Sequence, residues 1–377
     1  MGGTGVAHPL VNVRNLRKAG ALFSDHRPDQ IVNALRYACH TLRGYPAERV
    51  PYGPVCLTLF ITPRCNLRCA YCQYRSPATP RGPHRSPDMT LGTLQRILDM
   101  FPRATSVSVS GGGEPLLHPD VFEMLRLIHA RQMQTHLVTS GTLLPGKVGS
   151  VLRTPVDFMN ISFYGVDGET FAQRTGASGA LFDDMIEAAR ELVRRRRPGG
   201  WPRLLRGSFV CTKQNLDEAI CFVSLCEKLG LDQAKLKNLT YYGVAGYEES
   251  MSLHEDDAGA LDFIARLKRM RLRIPVMLPR LYKRDYVPRR CDLAFRELIV
   301  DGRGCVAPCP IVEPFPGHTS IFRNPDAWNG PEMLARRRAL TDLTQPLPAA
   351  CLQCEKMIQD RPSLRRWPAG VHSSGGA

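Results

Sequence analysis
The chain has 377 residues, 43% of them apolar, and a formal charge of +15. That length suits one large α/β domain with a smaller appendix. No apolar run reaches the ~18 residues that a membrane helix needs, so no membrane partner is expected. The start, Met1-Gly2-Gly3-Thr4-Gly5-Val6, has neither an apolar signal core nor a myristoylation pattern, and a cytoplasmic location is expected. The excess of cations points to anionic partners, but part of it is local. Arg194 to Arg197 close a predicted helix, where cations suit the helix dipole and face solvent. No zinc finger, RNA-binding signature or basic patch interleaved with aromatics occurs, so a nucleic-acid partner is not expected. Thirteen cysteines are many for a chain in a reducing compartment. Clustered there, they argue for metal or catalysis rather than disulfides.

Residues 10–50 read mainly as an N-terminal helix. Ile31, Leu35, Ala38 and Leu42 recur at helical spacing and are expected to form its packed face. Cys39 adjoins that face and is expected to be buried, while His40 is read as a packing or surface residue. From Val55 onward, short apolar strands alternate with amphipathic helices. Strands are predicted at 55–62, 105–110, 135–139, 157–163, 206–212 and 233–239. Helices are predicted near 90–101, 119–131, 146–153, 181–196, 215–229 and 255–270. Such alternation predicts a parallel sheet with helical crossovers. Residues 76–87 read as an exposed loop, and the tail from about Arg361 as loose.

The first strand runs into Cys65-Asn66-Leu67-Arg68-Cys69-Ala70-Tyr71-Cys72, three cysteines at C-x3-C-x2-C spacing. They lie on a loop at the C-terminal end of a strand, where α/β barrels place their chemistry. Iron–sulfur clusters normally take four thiolates, so three on one loop leave one iron of a [4Fe–4S] cube open for a ligand from outside the protein. A closed zinc site would need a fourth ligand, and the next His downstream, His84, lies beyond a Pro-rich stretch.

This stretch resembles the cluster motif of the radical SAM superfamily, in which S-adenosylmethionine (SAM) chelates the open iron. The resemblance implies an α/β fold, a partial (β/α)6 TIM-like barrel with a small C-terminal iron–sulfur domain. The expected divisions are a helical extension at 1–54, the barrel at 55–270, the small domain at 271–360 and a loose tail at 361–377. It also implies a reduced flavodoxin- or ferredoxin-type electron donor.

Further motifs take roles from the same resemblance. Ser110-Gly111-Gly112-Gly113-Glu114-Pro115, after the second strand, resembles the family's GGE turn, so Gly112, Gly113 and Glu114 would meet the amino group of SAM. Asn160 and Ser162 share one face of the fourth strand by alternation, and that strand serves the SAM ribose and carboxylate in the family. Arg174 resembles an arginine that pairs with the SAM carboxylate. Ser140, beside Thr139 at the end of the third strand, would also face SAM. Tyr71 occupies the family's aromatic position near adenine. His118, after the glycine turn, is read as a loop or helix-start residue.

Past the barrel, Cys291, Cys309, Cys351 and Cys354 resemble the ligands of a twitch domain, a short SPASM-like unit holding a second, auxiliary [4Fe–4S] cluster. Four thiolates would serve zinc equally well, and spacing leaves both open. Of the remaining cysteines (Cys39, Cys56, Cys211, Cys221, Cys226 and Cys305), most are expected to be small buried hydrophobes. Two carry a second reading. Cys305, four residues before a proposed ligand, and Cys211, at the end of the fifth strand, are candidate hydrogen-atom donors. The resulting expectation is a radical SAM epimerase acting on a hydroxylated carbon of a sugar-like small molecule. Alcohol dehydrogenation of the same substrate class, or maturation of a peptide, is the alternative.

Overall fold
A computed structural model of the chain describes residues 25–45, 47–75, 86–240, 246–282, 291–307, 309–310 and 320–342, with Leu347, Cys351 and Cys354. The loop expected at 76–87 (Ser86 and Pro87 aside), Tyr241-Tyr242-Gly243 and the tail from Arg361 lie outside the described residues.

Six parallel strands follow one another in sequence order: β1 (Cys56–Phe60), β2 (Ser106–Ser110), β3 (Gln134–Thr139), β4 (Phe158–Phe163), β5 (Leu204–Cys211) and β6 (Gln233–Asn238). The crossovers carry α2 (Leu91–Met100), α3 (Val121–Ala130), α4 (Val148–Leu152), the pair α5 (Gly168–Thr175) and α6 (Ala180–Arg195), and α7 (Leu216–Leu229). This is the parallel sheet with helical crossovers that the alternation predicts, arranged as the open six-stranded α/β barrel that the resemblance implies. Two features enlarge it. After α8 (Ala258–Arg269), the short β7 (Val276–Met277) adds parallel to β6. On the other side, β8 (Glu297–Asp301) runs parallel to β1, and β9 (Val306–Ala307) returns antiparallel to β8. The sheet therefore continues past residue 271 into the segment that carries the later cysteines.

Alternation gives this sheet two different faces. Leu57 and Leu59, Val107 and Val109, Met159 and Ile161, and Leu205 are fully buried beneath the helices. Each such side chain contributes about 1.5–3 kcal/mol by leaving water. The helices answer them with their own apolar stripes, such as Phe182, Met185, Ala189 and Leu192 on α6. The alternate positions are polar and face inward: Thr58 and Ser108, then Asn160 against Arg206, and Ser208 against Lys235. A polar inner face marks an interior that holds ligand rather than a packed core.

The N-terminal helix, α1 (Pro28–Leu42), corrects the expectation for its packed side. Leu35 and Leu42 are 48% and 64% exposed, while Gln30 and Asn33 are buried. The polar side faces inward because it caps loop ends. Gln30 Nε2 donates to the carbonyls of Pro102 and Arg131, Asn33 Nδ2 donates to that of Gly53, and Gly53 N–H donates back to Asn33 Oδ1. Cys39 is accordingly exposed, as is Cys221. His40 is buried, ringed by Tyr45, Tyr52 and Phe295.

Burial lowers the pKa of His40, and burial likewise lowers that of His136 on β3. Both imidazoles are thus held neutral in the fold but protonate near 6.5 when it unfolds. Their contribution to stability is complete above pH 6.5 and is lost as pH falls below it. Urea midpoints should therefore decline from pH 7 to 5, and His40→Phe should flatten part of that decline. An unchanged slope in the variant would remove His40 from this role.

Candidate functional site
A cavity of about 450 Å³ opens at the C-terminal ends of the strands. The loop after β1 brings Cys65, Cys69 and Cys72 to its wall. That loop is fastened from several sides. Leu67 is buried in the core, while Arg68 N–H and Ala70 N–H donate to the carbonyls of Thr175 and Arg174 at the end of α5. Asn66 Nδ2 donates to Thr142 Oγ1, 2.9 Å away, and Arg75 reaches back to the Pro63 carbonyl.

The turn after β2 lies against the same loop. Glu114 N–H donates to the Arg64 carbonyl at 2.8 Å. At Gly113 a Cβ would stand 2.2 Å from that carbonyl oxygen, so the close approach requires glycine. Glu114 is 2% exposed. Its Oε1 accepts from Thr139 Oγ1 at 2.5 Å and from Leu116 N–H at 3.1 Å, and its Oε2 accepts from Ser140 N–H at 2.7 Å. One carboxylate thus joins the ends of β2 and β3. Gly112, Gly113, Glu114, Ser140 and Ser162 all line the cavity. Asn160 is one layer deeper, where its Nδ2 donates to Ser208 Oγ and its Oδ1 accepts from Arg206 Nε.

Tyr71 lines the cavity and packs edge-on against Tyr247, with ring centroids 4.3 Å apart. Arg174 holds Glu218 by two hydrogen bonds of 2.5 and 2.7 Å and donates to the Tyr164 carbonyl. It is committed to the protein, stands beside Tyr71 and is not part of the cavity wall. His118 accepts from Asp120 N–H through Nδ1 and bonds the Met89 carbonyl through Nε2, the part of a helix-start residue.

Burial, above all, pushes the Cys69 thiol up, and its neighbours Cys72 and Cys65 add to the rise. Burial raises Cys65 as well, with Glu114 and Cys72 adding to it. Three sulfurs that repel one another as thiolates, at the wall of a cavity, fit an iron–sulfur cluster, whose iron supplies the missing positive charge. Among the described residues, no three His, Cys, Asp or Glu side chains gather closely enough for a single metal ion. A cube places each thiolate on a separate iron and needs no such convergence.

The later cysteines also come together. Cys291, Cys309, Cys351 and Cys354 are all buried. Cys291 is pushed up to about 12, by burial first and then by Cys309 and Cys354. Cys351 is raised by burial and, to a smaller extent, by Cys309.

The two candidate hydrogen donors are placed differently. Val210 lines the cavity, so its neighbour Cys211 lies on the helix-facing side, fully buried in the apolar core. Cys305 belongs to a small cluster with Phe60, Tyr74, Ile299 and Ala307, against which Cys72 packs. It stands behind the cysteine loop and is not part of the cavity wall. Sequence reasoning missed Arg75, Lys235 and Lys237, which do line the cavity. The lysines could have been found from β6, where they alternate with buried Ala234, Leu236 and Asn238.

Parallel strands that open a three-cysteine loop and a glycine turn into one cavity define a class of enzyme, and comparison with known proteins identifies it. Residues 59–210 match the radical SAM superfamily profile, and that part of the chain is a radical SAM domain. The cofactors that such a domain takes are a [4Fe–4S] cluster and SAM. The PqqA peptide cyclase of Ruegeria pomeroyi is 27% identical over 332 residues, 84% of this chain and 83% of its own. A probable GTP 3',8-cyclase of Metallosphaera sedula is 29% identical over 200 residues, 53% of this chain and 59% of its own. Among solved structures, Streptococcus suis SuiB bound to precursor peptide SuiA superposes with a TM-score of 0.61 at 16% identity, over 92% of this chain and 81% of that one. No helix among the described residues is long and apolar enough to cross a membrane.

Proposed function
We propose that the protein is a peptide-modifying radical SAM enzyme that oxidatively joins or dehydrogenates positions of a substrate peptide. The observation that carries this reading is the reach of the PqqA peptide cyclase match. It extends over 84% of the chain, well past residues 59–210 and into the segment of the later cysteines. The cyclase of M. sedula matches over 53% only and so speaks for the barrel's class. The expectation of a sugar epimerase gives way on this ground. The placement of Cys305 agrees, since its thiol stands behind the cysteine loop rather than at the cavity wall.

In this reading Cys65, Cys69 and Cys72 hold the first cluster, and Cys291, Cys309, Cys351 and Cys354 hold a second. Bound there, the first cluster with SAM supplies hydrogen-atom abstraction and the second an electron reservoir. The chain's own residues do the positioning. The Gly113 turn and Glu114 orient the amino group of SAM, Ser140 and Ser162 its polar edge, and Tyr71 with Tyr247 its aromatic ring. Asn160 supports Ser162 from below. Arg174 fixes Tyr71 and, through its backbone carbonyl, the cysteine loop.

The test uses cluster-loaded protein, SAM, a low-potential reductant and short peptides encoded beside its gene. 5'-Deoxyadenosine formation is expected to rise on adding the right peptide, and the product should be lighter by two hydrogens. A product of unchanged mass with one inverted centre would restore the epimerase reading.

A further inference from the structure
We infer that Arg336 is a positioning residue of the second cluster, raising its reduction potential through a hydrogen bond to Cys351. The inference rests on the reading that the four later cysteines hold that cluster.

Arg336 lies on α9 (Pro331–Thr341), a helix fixed at its start. Trp328 Nε1 donates to the Tyr52 carbonyl at 2.7 Å, and Asn329 Nδ2 donates to that of Val50. The next residue, Arg337, is fully buried and serves packing. It donates to the Ala294 and Glu48 carbonyls and lies 4.3 Å over the Trp328 ring. Arg336 is different. It is 9% exposed, and its guanidinium Nη2 donates to Cys351 Sγ at 2.7 Å.

A buried guanidinium stays charged, and a charge-assisted donor is about twice as strong as a neutral one. Hydrogen bonds to ligand sulfurs and the local charge are the protein's means of tuning a cluster's potential. Reduction adds negative charge. A cation held on a ligand sulfur stabilises the reduced form more than the oxidised form, so the potential rises.

The experiment takes the full chain with Cys65, Cys69 and Cys72 changed to Ala, which leaves the later cysteines alone, and titrates its reduction by EPR. Arg336→Met is expected to keep the iron but shift the one-electron reduction equilibrium about tenfold toward the oxidised form, about 59 mV. Arg336→Lys, which restores a cation without the planar fork, should recover part of the shift. Full iron with an unchanged midpoint in Arg336→Met would overturn the inference. If Arg336→Met fails to load, Arg336→Lys decides: a midpoint below that of the parent supports the inference, and a midpoint equal to that of the parent overturns it. Absence of iron from the parent protein would instead strike the second-cluster reading itself.

Discussion

Changing Cys65, Cys69 and Cys72 together to Ala is expected to abolish SAM cleavage and to lower iron from about eight to about four per chain, the content of two cubes and of one. The two halves of the result test different things. Loss of 5'-deoxyadenosine reports on the open-iron cluster, since these thiols line the cavity. The iron that remains reports on Cys291, Cys309, Cys351 and Cys354. A fall from about four to none would leave the SAM cluster intact as an idea and remove the second. The variant should stay folded, because the loop is held mainly through Leu67 and backbone hydrogen bonds rather than through its sulfurs. Circular dichroism and an unchanged urea midpoint check that.

Glu114→Gln should damage both the fold and the cofactor site. Three donors converge on the two carboxylate oxygens, from Leu116, Thr139 and Ser140. A glutamine offers one acceptor oxygen and turns an NH2 toward at least one of these donors. A buried donor left unmatched costs about 1–3 kcal/mol, and the urea midpoint should fall accordingly. With Glu114 as the proposed partner of the SAM amino group, the change removes a charged hydrogen bond worth about 1.5–3 kcal/mol, so SAM affinity should weaken about ten- to hundredfold. An unchanged midpoint would show that the carboxylate does not tie β2 to β3. Weaker SAM binding without any loss of stability would confine its role to the ligand.

Much of this site could be read from residue order. The strands of the barrel were visible because each pairs apolar outer residues with turn signals at its ends, and the cysteine spacing needs no structure to interpret. Other parts depended on partners far away in the chain. The face of α1 was misjudged because apolar period alone was weighed. Its buried side carries Gln30 and Asn33, whose value lies in carbonyl groups at Pro102, Arg131 and Gly53. Cys211 looked available at a strand end, but one step of alternation sends it under the helices. Glu297-Leu298-Ile299-Val300-Asp301 is an apolar triplet between acids, too short to declare itself as a strand. It becomes one through register with β1, with Thr58 Oγ1 donating to Glu297 Oε1. Arg336 gives no signal at all in sequence, since only the fold brings Cys351 beside it.

The pairing of β1 with β8 also bears on how the molecule is made. Cys56 lies opposite Glu297, and Phe60 opposite Asp301. During synthesis the first strand can find β2 early, yet one of its hydrogen-bonding edges stays bare until nearly three hundred residues have left the ribosome. Such distant pairing is slow to form, and a bare edge invites foreign strands in the meantime. The nascent chain therefore exposes the loop with Cys65, Cys69 and Cys72 long before its neighbour arrives, so the last step of folding covers the flank of the first cysteine loop.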